Sequence, residues 1–144
     1  MALLLTADRV LSPSRDTAPR ELTPGWVLVE GERITALGEG PPPAHREGST
    51  RLDLPGASIV PGYVDAHVHG GGGATFGLGG PDAARHVVRA HLAHGTTTMA
   101  ASLVTDSLER LRDALAQLAV LVGQGDLAGV HLEGGQGAIL ARHQ

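Results

Sequence analysis

The chain has 144 residues, room for one domain with a real core but short of the roughly 200 or more that a closed eight-stranded α/β barrel needs. Net charge is −4 and all 11 basic residues are scattered arginines, so no basic stripe marks a nucleic-acid partner. Cysteine and lysine are both absent, which excludes disulfides, thiolate metal sites, Schiff bases and carbamylated-lysine metal bridges.

Residues 1 to 56 read as short strands divided by turn chemistry. "LLLTADRVL" is a strand candidate, and "WVLVEGERITALG" gives two strands about a Gly-Glu turn, with Val27, Val29, Ile34 and Leu37 as the apolar positions. A Pro-rich loop follows, and "RLDLPG" offers one more strand. The first third is therefore expected to be a small β-sandwich-like segment. The apolar run Ala2 to Leu5 is much shorter than a signal core, and no segment approaches the roughly 18 apolar residues that cross a bilayer. With cysteine absent, the cytoplasm is the expected compartment, with no membrane partner.

From 57 to 144 the pattern alternates strand and helix. "SIVPGYVDAHVH" is a strand candidate interrupted by Pro61-Gly62, and "PDAARHVVRAHLAHG" a helix with Pro81 in its first turn and Gly95 as its stop. Ala84, Val87, Val88 and Leu92 form its expected buried face. "TTTMAASLV" is a second strand. Asp106 is the expected cap of "SLERLRDALAQLAVLV", where Leu108, Leu111, Leu115, Leu118 and Val122 make one stripe. "DLAGVHLEG" is the third strand, and the alternation implies an α/β fold with a parallel sheet.

Alternation along the first of these strands puts Tyr63, Asp65, His67 and His69 on one face. Two imidazoles so placed can hold one transition-metal ion, with Asp65 near enough to support them. Gly70 to Gly73 are expected to leave room for a ligand. On the third strand Gly129, His131 and Glu133 share a face, and Glu133 falls at the carboxyl end, where α/β folds gather ligands. His67, His69 and Glu133 would make a His-His-Glu set with positions open for water and substrate. His86, His91 and His94 on the first helix read as packing or surface histidines, and Arg85, Arg89, Arg110 and Arg112 as solvated helix faces. There is no dinucleotide fingerprint and no G-x-S-x-G elbow.

"IVPGYVDAHVHGGGG", "HGTTTMAASLVTD" and "GVHLEG" together resemble the amidohydrolase superfamily. Within it they are similar to the deacetylases of N-acetylglucosamine 6-phosphate, over a stretch reaching from the β unit to about Gly134. The resemblance implies the start of a metal-dependent-hydrolase TIM barrel, about three βα units, preceded by the β segment. It assigns His67 and His69 to one metal position and Glu133 to the other or to a shared one, with a divalent metal, zinc or iron, as cofactor. It implies deacetylation of a phosphorylated amino sugar to glucosamine 6-phosphate and acetate, and a homodimer for the full-length family. The general acid/base Asp, the remaining His ligands and most of the sugar pocket are expected outside these residues, so no catalytic or substrate-binding residue is assigned and the 144-residue chain is expected to be inactive alone. After "HLEG" the chain departs from the family pattern, with "GQGAILARHQ" following Gly134 and only Gly137-Ala138 left as a possible remnant. The competing expectations are another superfamily enzyme acting on a cyclic amide or N-acyl group, and a non-catalytic metal-binding or interaction fragment.

Overall fold

The computed structural model describes residues 2–13, 18–44 and 48–133. The stretch after Glu133, including Gly137-Ala138, lies outside the described residues. The chain divides into two compact units, Met1–Pro61 and Gly62–Gln144.

The first unit is one five-stranded sheet of β1 (Ala2–Ser12), β2 (Arg20–Leu22), β3 (Gly25–Glu30), β4 (Arg33–Glu39) and β5 (Thr50–Ile59). Strand β1 runs antiparallel to β2 and β3 and parallel to β5, while β4 closes a hairpin on β3. Val10, Leu22 and Val27 are its buried centre, with Leu5, Val29, Leu37 and Ile59 packed around them. The expected apolar position Ile34 is exposed instead. The β3–β4 register slips at Leu28/Val29, and Ile34 lies beyond the slip, one pair from the turn. Strand β2 was not anticipated, because three residues are too few to show alternation.

Strand β5 also runs further than "RLDLPG". It passes through Pro55-Gly56 by a bulge, its pairing with β1 shifting between Ala7 and Arg9, and Gly56 takes φ 76°, which suits glycine. Ser58 and Ile59 therefore belong to this sheet, and the expected strand "SIVPGYVDAHVH" is split in two. Across the β1–β5 pair, the Thr6 hydroxyl and Arg51 Nε both donate to Asp53 Oδ1, the latter at 2.8 Å. These two bonds hold the Asp53 carboxyl below its ordinary pKa.

The second unit contains β6 (Tyr63–Val68), a short hairpin of β7 (Gly70–Gly71) and β8 (Ala74–Thr75), α1 (Gly80–Leu92), β9 (Thr96–Leu103), α2 (Leu108–Gln124) and β10 (Gly129–Leu132). Strands β6, β9 and β10 form a parallel sheet in chain order, with a helix after each of the first two, as in a barrel wall. Val68, Met99, Ala101 and Leu103 from the strands pack on Ala84 and Val87 of α1 and on Leu118 and Leu121 of α2.

Both helices are shorter of core contact at their ends than their periodicity implies. Leu92, the last residue of α1, and Leu108, the first of α2, are exposed, whereas Leu121 is fully buried. Ser107, not Asp106, caps α2. Its backbone is extended at φ −59°, ψ 148°, and its Oγ accepts from the Arg110 N–H at 3.3 Å. Asp106 sits one residue earlier and accepts from the Ser107 N–H at 2.7 Å.

Candidate metal centre

Strand β6 carries His67 inside its last turn of pleat, and His69 follows its end. Irregular register against β9, between Tyr63 and Val64 and between Asp65 and Val68, breaks strict alternation. The two imidazoles nonetheless converge: their Nε2 atoms are 3.1 Å apart and the rings meet edge to face at 80°. Glu133 directly follows β10 and extends the ladder, its N–H donating to the Leu103 carbonyl at 3.0 Å. Its Oε1 lies 2.8 Å from His67 Nε2 and 3.0 Å from His69 Nε2. Two histidines and a glutamate more than sixty positions further along thus bring one ligand atom each to a single point at the carboxyl end of the sheet.

The donor chemistry fits a divalent cation. His69 Nδ1 lies 3.0 Å from the main-chain carbonyl of Ser102, which can only accept, so Nδ1 carries the proton and Nε2 presents a lone pair. That lone pair faces a carboxylate oxygen, also an acceptor. A cation between them removes the repulsion. Donors about 2.0–2.1 Å from a tetrahedral zinc stand about 3.3 Å apart, close to the 2.8, 3.0 and 3.1 Å separations found. The side chains of His67, His69 and Glu133 are 53%, 43% and 36% exposed, leaving the point open to water and ligand. A cavity of about 320 Å³ adjoins it, lined by His69, Thr75, Leu78, Ser102 and Arg110 among others.

Other anticipated residues take different places. Asp65 accepts from the main-chain N–H of His67 at 3.1 Å and so shapes the strand end. His131 stands with its ring 5.3 Å from that of His67 and its Nδ1 3.5 Å from Ser102 Oγ, beside the three donors and not among them. Part of the space expected at the glycine run is taken by α1, His91 Nε2 donating to the Gly70 carbonyl at 3.1 Å and His86 Nε2 to that of Gly72 at 2.8 Å, while Gly73 faces open space. His94, expected on the first helix, lies two residues past its end and bonds the Ala90 carbonyl. Arg85 is no simple solvated group: it reaches Gln124 at 2.8 Å and Asp126 at 3.6 Å, tying α1 to the end of α2. Ser102 escaped sequence reasoning because its contribution to His69 is a main-chain carbonyl, which every residue type possesses.

Residues 58–137, more than half of the chain, match the amidohydrolase family. The chain belongs to that family. This amidohydrolase is 42% identical to the N-acetyl-D-glucosamine-6-phosphate deacetylase of Mycobacterium smegmatis, whose crystal structure superposes on 92% of the chain with a TM-score of 0.82. It is 34% identical over 95 residues to the N-acetylglucosamine-6-phosphate deacetylase of Bos taurus, a match covering 62% of this chain and 23% of that one. It is also 32% identical over 117 residues to an imidazolonepropionase of Arthrobacter, covering 78% of this chain and 27% of that one. The amidohydrolase chain spans about a third of the Mycobacterium structure, 33% of its length. The likeness confirms the expected fold, a β-sheet segment followed by the opening strands and helices of a barrel.

Proposed function

We propose that this chain supplies the first metal ligands of a deacetylase that hydrolyses N-acetylglucosamine 6-phosphate to glucosamine 6-phosphate and acetate. The observation that carries the reading is the convergence of His67 Nε2, His69 Nε2 and Glu133 Oε1 within hydrogen-bond distance of one another. Identity of 42% to the Mycobacterium deacetylase across nearly the whole chain supports the substrate class.

In this reading His67, His69 and Glu133 hold a zinc ion. A bound zinc supplies a lowered pKa for water and polarisation of the amide carbonyl. The chain's own residues bind and orient: Ser102 fixes the His69 tautomer, and Glu133 contributes the negative charge that two neutral imidazoles lack. The general acid/base Asp and the sugar-phosphate contacts belong to parts of the family fold outside these residues. Cytoplasmic location and a homodimeric full-length enzyme complete the proposal. The imidazolonepropionase similarity carries the second reading, another amidohydrolase activity on the same metal site.

A chimera tests the choice. Residues 2–133 replace the equivalent first third of the Mycobacterium deacetylase, and acetate release from N-acetylglucosamine 6-phosphate is measured. Turnover abolished by His67→Ala or Glu133→Gln is the expected result. A folded, metal-loaded chimera with no turnover of that substrate overturns the deacetylase reading.

A further inference from the structure

The geometry points to His91 as a positioning residue for His69, acting through the glycine hairpin that follows the metal-binding histidine; this rests on the metal-site reading above. Helix α1 lies against the hairpin of β7 and β8, and two of its imidazoles reach carbonyls there. His91 Nε2 is 3.1 Å from the Gly70 carbonyl and His86 Nε2 is 2.8 Å from that of Gly72. A carbonyl only accepts, so both Nε2 atoms carry protons and donate.

The glycines are the other half of this contact. A Cβ built on Gly71 would sit 2.6 Å from His91 Nε2, and one on Gly72 would sit 2.9 Å from His86 Nε2 and from the Ala90 Cβ. Gly72 also has φ 60°, a left-handed conformation costly for residues with a side chain. Gly71 and Gly72 therefore give up their side chains to admit the imidazoles of α1.

What the hairpin holds is His69. The carbonyl of His69 accepts from the Phe76 N–H at 3.0 Å, and Phe76 is buried in the core. The next carbonyl along, that of Gly70, accepts from His91. Two consecutive carbonyls are thus fixed, one to the core and one to α1. A hairpin of two-residue strands has little stability of its own, and glycine restricts its own torsions least, so without His91 the Gly70 peptide is held only by the short β7–β8 ladder. His69 then loses the backbone placement from which its Nδ1 reaches Ser102 and its Nε2 reaches Glu133. His94, two residues past the end of α1, directs its imidazole to the Ala90 carbonyl, away from the hairpin carbonyls, and serves as the control.

The test uses the full 144-residue chain, with zinc affinity measured by chelator competition and site geometry by the visible absorption of bound cobalt(II). Outer contacts of metal-binding histidines typically govern affinity by about 10- to 100-fold, and His91→Leu is expected to fall at the lower end, with a changed cobalt spectrum. His91→Gln keeps an N–H for the Gly70 carbonyl and restores both readouts, and His94→Leu matches the wild type. His67→Ala loses the metal. If His91→Leu destabilises the unit, Gly71→Ala displaces the imidazole from the loop side and gives the same loss. Wild-type affinity and spectrum in both His91→Leu and Gly71→Ala, with metal lost in His67→Ala, overturns the positioning role and leaves the metal site standing. A wild-type chain that binds neither zinc nor cobalt overturns the metal site and the positioning role together.

Discussion

His69 donates from Nδ1 to the main-chain carbonyl of Ser102 at 3.0 Å, and this single bond decides which nitrogen faces Glu133. With Nδ1 committed as donor, the neutral ring offers Nε2 as a lone pair toward a carboxylate 3.0 Å away. A metal ion between them is what reconciles the two acceptors. Strand β9 thereby takes part in the site although none of its side chains is a ligand, because it delivers the carbonyl that orients one.

Glu133→Gln is the sharpest substitution for that arrangement. The amide keeps the size of the side chain and removes the only negative charge among the three donors. Loss of a ligand charge is expected to weaken zinc binding by at least the 10- to 100-fold, about 1.4–2.7 kcal/mol, associated with outer contacts alone. Chelator competition on wild type and variant measures it, and equal affinities would remove Glu133 from the site.

The 144 residues alone should release no acetate from N-acetylglucosamine 6-phosphate. Among the described residues the metal-type cluster contains three donors, all of them used as ligands in the proposed centre, so none of the three is left free to move a proton. Incubation of zinc-loaded chain with the sugar phosphate, against a chelated control, checks this directly. Acetate above the control would place a proton-transfer group within these residues.

The site was more legible than the framework that builds it. His67, His69 and Glu133 could be grouped from strand-end positions because side-chain chemistry marks them, and the parallel order of β6, β9 and β10 followed from alternation of strand and helix. The Ser102 carbonyl and the Gly70 and Gly72 carbonyls carry no such mark, so the contacts that orient His69 and pin the hairpin were invisible. Asp106 and Ser107 are both cap-forming residue types, and only backbone geometry assigns the cap to Ser107. The split of "SIVPGYVDAHVH" was hidden by the bulge at Pro55-Gly56, which lets a strand continue where those residues ordinarily end one.

Asp53 makes a prediction about pH. Its carboxyl is lowered by hydrogen bonds from the Thr6 hydroxyl and then from Arg51. A folded pKa below the unfolded value gives stabilisation that is complete above the unfolded pKa, about 3.9, and disappears as pH falls through the lower folded value. The group is exposed, so the effect is small and sensitive to salt. Thermal melts of wild type and Asp53→Asn should differ by a constant amount above about pH 5 and converge as the pH falls below about 3.9. A difference that grows on acidification would contradict the role assigned to Thr6 and Arg51.

Leu121 and Leu92 test where the core of the second unit lies. Helical periodicity alone favours the stripe through Leu108, Leu111, Leu115, Leu118 and Val122 on α2 and includes Leu92 on α1, yet Leu121 is fully buried while Leu92 is 54% exposed. Leu121 packs in the cluster formed by Val87, Met99 and Leu118, so truncation removes apolar contact and leaves a cavity between helix and sheet. Leu121→Ala should cost about 2–5 kcal/mol, whereas Leu92→Ala at the helix end should stay within about 0.5 kcal/mol. Urea unfolding followed by helical circular dichroism compares them. Because both substitutions remove the same atoms from the same residue type, intrinsic helix propensity cancels and only burial separates them. A Leu92→Ala cost equal to that of Leu121→Ala would mean that α1 and α2 pack through the faces their periodicity suggests, and that the strand-end geometry bringing His69 to Glu133 is supported differently.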